Sequence, residues 1–90
     1  MCYPERMQDY PGLKKAIAVI LKRLREAEKL SKRQMAQKAQ LERVYLIQLE
    51  RGEKRPSVNA LFYLGSALGI RPSEMLRMIE EELEQASPEN

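Results

Sequence analysis

Ser31 and Gln34 stand three residues apart just behind Leu30, and Gly52 closes the apolar stretch that follows. A Ser side chain at a helix start accepts from the third helical N–H, and a Gln at that third position reaches back to the Ser backbone. A helix therefore begins at Lys32 and runs to about Ala39. Leu30 before this cap and Met35 after it can form a hydrophobic staple. A second helix runs from about Arg43 to Arg51, and Gly52 ends it because glycine takes the left-handed conformation freely. Only three or four residues remain between the two helices. A connector that short forces both helices into one crossing. Any fold for this chain must be built around that elbow.

The rest of the chain reads as helix too. Pro11-Gly12, Gly52 to Pro56, Gly69 to Pro72 and Ser87-Pro88 punctuate it, and no segment between them alternates like a strand. The expectation is an all-α chain of five helices. The first runs from about Gly12 to Glu28, with Leu13, Ile17, Ile20, Leu21 and Leu24 on one stripe. Ala18 and Val19 lie off that stripe, so something must cover a second face. In the third helix Val44, Leu46, Ile47 and Leu49 are apolar. The fourth runs from about Val58 to Leu68, capped by Ser57 and closed by Gly69, with Leu61, Leu64 and Leu68 facing inward. Gly65 costs roughly 1 kcal/mol against Ala inside a helix, which the close approach of another helix would offset. The fifth starts at Pro72 and continues through Met75, Leu76, Ile79 and Leu83 to about Ala86, with Arg71 a poor cap before it.

Composition removes whole classes of function. The chain has 90 residues, no His, no Trp and one Cys, Cys2. An intramolecular disulfide, a Cys/His zinc site and His-based catalysis all lack their residues. No paired carboxylates sit with a plausible pocket, so an enzyme is not expected, nor are a metal or a cofactor. The longest apolar run is the six residues Ala16 to Leu21, too short to span a bilayer. No signal segment is expected at the start, and the reading is a cytoplasmic binding protein.

Charge is unevenly spread. The net charge is +3, yet residues 14–55 hold 13 Lys/Arg against five acids, while residues 56–90 hold Arg71 and Arg77 against six Glu. Residues 1–13 contribute −1. Charge runs are often only solvated helix faces. Here the basic segment contains the elbow, so it counts toward a polyanion partner.

The residues Leu24-Arg25, Leu30-Ser31, Met35-Ala36, Leu46, Leu49-Glu50-Arg51-Gly52, Pro56-Ser57, Leu61 and Ala67-Leu68-Gly69-Ile70 resemble the Cro/cI-type (xenobiotic-response-element) helix-turn-helix regulators. The likeness spans about Ile20 to Leu76. Restriction–modification controller proteins look like the nearest flavour, through Arg43-Val44-Tyr45-Leu46 and the small size. The resemblance implies a five-helix lambda-repressor-like domain over 12–76. A short N-terminal extension, 1–11, precedes it, and an acidic C-terminal helix and tail, 77–90, follow. It also implies that Arg25 and Glu50 form an ion pair tying the first helix to the end of the third. Two departures stand out. Gln40 and Lys29 occupy positions where the family usually has Gly, so the turn is expected to differ in detail.

The resemblance further implies that the third helix, 43–51, enters the major groove of double-stranded DNA. Its base-reading positions are Glu42, Arg43, Val44 and Gln48. Arg43 suits guanine O6 and N7, Gln48 suits adenine N6 and N7, and Val44 suits a thymine methyl. Glu42 either accepts from cytosine N4 or merely starts the helix, and Val44 is otherwise a partly exposed helix residue. Phosphate contacts are expected from Ser31, Lys32, Arg33, Lys38, Lys54 and Arg55. Tyr45 either reaches a phosphate or packs on the second helix.

One short helix reads few base pairs, so a homodimer on a two-fold site is expected. Leu76, Ile79 and Leu83 follow the spacing of a packing seam. The alternative dimer surface is the extra apolar face of the first helix with Tyr3, Met7 and Tyr10. The leading reading is a sequence-specific transcriptional regulator. The alternatives are an antitoxin, with residues 77–90 holding a protein partner, or an interaction adaptor that keeps the fold without reading DNA.

Overall fold

The structure is a computed structural model and describes residues 8–86. Among these residues there are five helices and no strand: α1 (Leu13–Ala27), α2 (Lys32–Lys38), α3 (Arg43–Glu50), α4 (Val58–Leu68) and α5 (Pro72–Ala86). α1 packs on α3 and α5, α2 on α3 and α4, and α4 on α5. Ile20, Leu21, Met35, Leu46, Leu49, Leu64 and Met75 are fully buried at the centre. Each contributes about 1.5–3 kcal/mol relative to leaving it in water. Ala36 and Ala39 are buried with them, so α2 presents only small side chains and Met35 to its neighbours. That lets α2 and α3 lie close in spite of their short lengths.

The start of α2 forms as its sequence demands. Ser31 Oγ accepts from the Gln34 N–H at 3.0 Å, and Gln34 Oε1 accepts from the Ser31 N–H at 2.8 Å. Its end corrects the expectation of an altered turn. Gln40 adopts φ 57° and Lys29 φ 58°, the left-handed conformation that glycine normally supplies. The Leu41 N–H donates to the Ala36 carbonyl and the Gln40 N–H to that of Gln37, a complete Schellman closure. Leu30 and Lys29 close α1 onto the carbonyls of Arg25 and Glu26 in the same way. Both closures therefore form without the glycines that the resemblance leads one to expect. The backbone hydrogen bonds, with half-buried Leu30 and Leu41 packed on the core, outweigh the steric cost at the two residues.

Gly65 tolerates its helix position for a specific reason. A Cβ there would lie 2.6 Å from the Ile70 carbonyl oxygen and 3.3 Å from Pro72 Cδ. What approaches is the returning backbone of the α4–α5 connection and the first residue of α5, rather than the body of a second helix.

The second apolar face of α1 is partly buried within the chain. Ala18 is buried and Val19 half-buried beside Glu50, Arg51 and Gly52 at the end of α3. Tyr10 is exposed, while Tyr3 and Met7 lie outside the described residues. The expected seam on α5 also needs correction. Ile79 is only 3% exposed and belongs to the core, and Leu83 is half-buried against it. Of the three seam residues only Leu76 faces outward.

Candidate nucleic-acid interface

One buried ion pair sets the orientation of α3. Arg25 Nε donates to Glu50 Oε2 at 2.8 Å, and Nη2 donates to Oε1 at 3.1 Å. The third arm, Nη1, donates to the Leu30 carbonyl at 2.9 Å. One guanidinium thus joins α1, the entry to α2 and the last residue of α3. The hydrogen bonds to Glu50 raise the Arg25 pKa still further above its ordinary value. Leu46 and Leu49 anchor the inner face of α3 in the core.

With its inner face fixed, α3 turns its start outward. Arg43 and Val44 are exposed, Val44 by 62%. Glu42 sits at the N-cap position with an extended backbone, and its side chain caps nothing. Gln48 is half-buried on the next turn. Arg43, Val44 and Gln48 are separated by one and by four residues, so they occupy neighbouring positions along the outer side of one helix.

The side chains expected to bind phosphate stand at the ends of α2 and in the connection after α3. Ser31, Lys32 and Arg33 are exposed at the start of α2 and Lys38 at its end. Ser31 Oγ is engaged as an acceptor, which leaves its proton to donate outward. Lys54 and Arg55 are exposed in the connection between α3 and α4. Tyr45 packs half-buried on the core and lines a groove with Leu13, Ile17 and Leu61, at the rim of which Lys14, Lys54 and Arg55 stand. Among the described residues, no ion pair within 4 Å involves Lys32, Arg33, Lys38, Arg43 or Lys54. Their charges are uncompensated at short range. Arg55 differs, because its Nε donates to Asp9 Oδ1 at 3.1 Å.

Two features escaped the sequence reading. Asp9 belongs to a segment read only as an extension, yet it reaches the basic rim. Val58 and Phe62, four residues apart on α4, are 70% and 61% exposed. The second was legible: neither residue falls on the Leu61, Leu64, Leu68 stripe. For Asp9 the sequence carried no such signal.

Two short helices at a fixed elbow, the second anchored by a buried ion pair with its start exposed, define a helix-turn-helix domain. Residues 16–78 match the family model described as a helix-turn-helix domain, and the chain belongs to that family. It is of the Cro/cI type, and the family and fold are those of DNA-binding regulators. The immunity repressor protein of Bacillus phage phi105 is 38% identical over 65 residues, covering 69% of this chain and 45% of the repressor. The chain thus spans less than half the length of that relative. Among solved structures, the restriction–modification controller protein C.AhdI from Aeromonas hydrophila superposes with a TM-score of 0.67 at 33% identity, over 73% of this chain and 98% of that one. The controller protein C.Esp1396I bound to a 19 base pair DNA duplex superposes with a TM-score of 0.72, over 79% of this chain and 95% of that one. At 20% identity the second likeness is one of fold.

Proposed function

We propose that this chain binds double-stranded DNA in a sequence-specific manner as a transcriptional regulator, with α3 lying in the major groove. The observation that carries the reading is the exposed start of α3, Arg43 and Val44, with Lys32, Arg33, Lys38 and Lys54 exposed and in no ion pair among the described residues. Arg43 and Gln48 read purine edges, Val44 touches a thymine methyl, and Glu42 accepts from a cytosine amine. Ser31, Lys32, Arg33, Lys38, Tyr45, Lys54 and Arg55 hold phosphates and fix the register. The reading unit is residues 12–76. An adaptor without DNA would not need this surround, in which residues 31–55 carry seven Lys/Arg against three acids.

The regulator acts as a homodimer on a two-fold site. The exposed apolar side chains Val58 and Phe62 on α4 and Leu76 on α5 support this, since large apolar groups in water mark an interaction surface. Selection of bound duplexes from a random pool at stated salt tests the whole reading. The expected product is a two-fold symmetric consensus with half-sites about 34 Å apart or a multiple of that. Recovery of unenriched sequence, or no retention of duplex in dilute salt, overturns it.

A further inference from the structure

Asp9 places one carboxylate between two cations. Its Oδ2 lies 2.8 Å from Lys14 Nζ, and its Oδ1 lies 3.1 Å from Arg55 Nε. Lys14 belongs to α1, whereas Arg55 belongs to the connection after α3. The contact therefore bridges the two sides of the groove lined by Tyr45. All three side chains remain partly open to solvent. Of the six basic residues expected on the DNA face, Lys32, Arg33, Lys38, Arg43, Lys54 and Arg55, only Arg55 carries an acid partner among the described residues. The Lys14 hydrogen bond, aided by the Arg55 charge, holds the Asp9 carboxyl below its ordinary range despite the opposing effect of burial. It is ionised at neutral pH.

We infer that Asp9 is an intramolecular stand-in for a DNA phosphate, which restrains duplex binding by occupying Arg55 and Lys14. This rests on the reading of Arg55 as a phosphate contact. An arginine grips a phosphate best with two parallel N–H donors. Asp9 takes Nε, so the Nε-bearing edge is engaged before DNA arrives. A phosphate that approaches Arg55 must displace the carboxylate or sit beside it, like charge against like charge. The two cations also share one negative charge, so together they offer one net positive charge in place of two. Exposed ion pairs contribute little to stability, so the consequence falls on binding rather than on folding.

The test uses the full chain, a mixed-sequence duplex of about 30 base pairs, and anisotropy titrations across a salt series. The variants are Asp9→Asn, Arg55→Ala and the two combined. A carboxylate facing a phosphate at about 6 Å in largely aqueous surroundings predicts that Asp9→Asn binds roughly three- to ten-fold more tightly at low salt. The advantage shrinks as salt rises, and the thermal midpoint stays close to the parent value. Arg55→Ala binds more weakly, and adding Asp9→Asn to it recovers less than it gains in the parent. If Arg55→Ala weakens binding but Asp9→Asn leaves it unchanged or weaker, the stand-in role is overturned while the phosphate role of Arg55 survives. If the gain is equal with and without Arg55, Asp9 acts only through its general field and the inference fails. If Arg55→Ala binds like the parent, the phosphate role fails and takes the inference with it.

Discussion

Arg25 and Glu50 meet edge to edge, with both carboxylate oxygens bonded by one guanidinium, and the side chains are only 11% and 3% exposed. A pair this dry is asymmetric in its energetics. Its net worth is modest, but removal of one partner leaves a charge without solvent. Glu50→Ala is expected to cost about 3–5 kcal/mol, measured by urea or thermal unfolding. Arg25→Lys should also be costly, since an ammonium cannot reproduce the fork that reaches both oxygens and the Leu30 carbonyl. Replacement of Glu50 with no loss of stability would contradict this account of how α3 is held.

Base reading and phosphate holding separate under mutation. Arg43→Ala should cost roughly 1–3 kcal/mol on the selected operator and relax preference at one base pair. Lys32→Ala should weaken binding to every duplex alike and reduce the salt slope by about one charge. Mobility shifts across operator variants distinguish the two patterns. Uniform loss in both variants would remove Arg43 from the reading set.

The left-handed Gln40 makes a prediction with a definite sign. An L side chain at this φ costs about 1–2 kcal/mol, and the greater freedom of glycine in the unfolded chain takes back about 0.4–1 kcal/mol. Gln40→Gly should therefore stabilise the protein by about 0.5–1 kcal/mol, and Gln40→Val should destabilise it. Gly65 predicts the reverse: Gly65→Ala improves helix propensity by about 1 kcal/mol yet meets the Ile70 carbonyl at 2.6 Å, for a net loss of roughly 1–2 kcal/mol. Chemical denaturation of the three variants checks all of these signs.

Helix positions were legible because they are set by local signals. Ser31 with Gln34, Ser57, Gly52 and Gly69 mark ends whose hydrogen bonds involve residues within five positions. The ion pair of Arg25 with Glu50 spans 25 residues and was suggested only by resemblance, since no local pattern links them. Gln40 misled because side-chain preference points away from φ 57° while the closure of α2 onto Ala36 requires it. Ile79 misled because a helix with apolar residues at every third or fourth position looks the same whether its stripe meets the same chain or another. Asp9 was illegible: its partners are chosen by the fold, and a lone acid before a helix carries no sign of the basic rim it joins.

The outward apolar residues give the last prediction. Val58, Phe62 and Leu76 are 70%, 61% and 48% exposed within one chain. On a two-fold interface each residue is used twice, so one substitution removes two contacts. Burial of a Phe contributes about 1.5–3 kcal/mol, so Phe62→Glu should raise the dimer dissociation constant by at least ~100-fold. Because Phe62 is largely exposed within one chain, the variant should keep its helical content and thermal midpoint. Ile79→Glu, by contrast, places a charge in the core and should unfold the chain. Sedimentation equilibrium of the Phe62 variant beside the parent decides the matter. A parent that is monomeric at tens of micromolar, or a variant that associates as strongly as the parent, would remove this face from the two-fold contact.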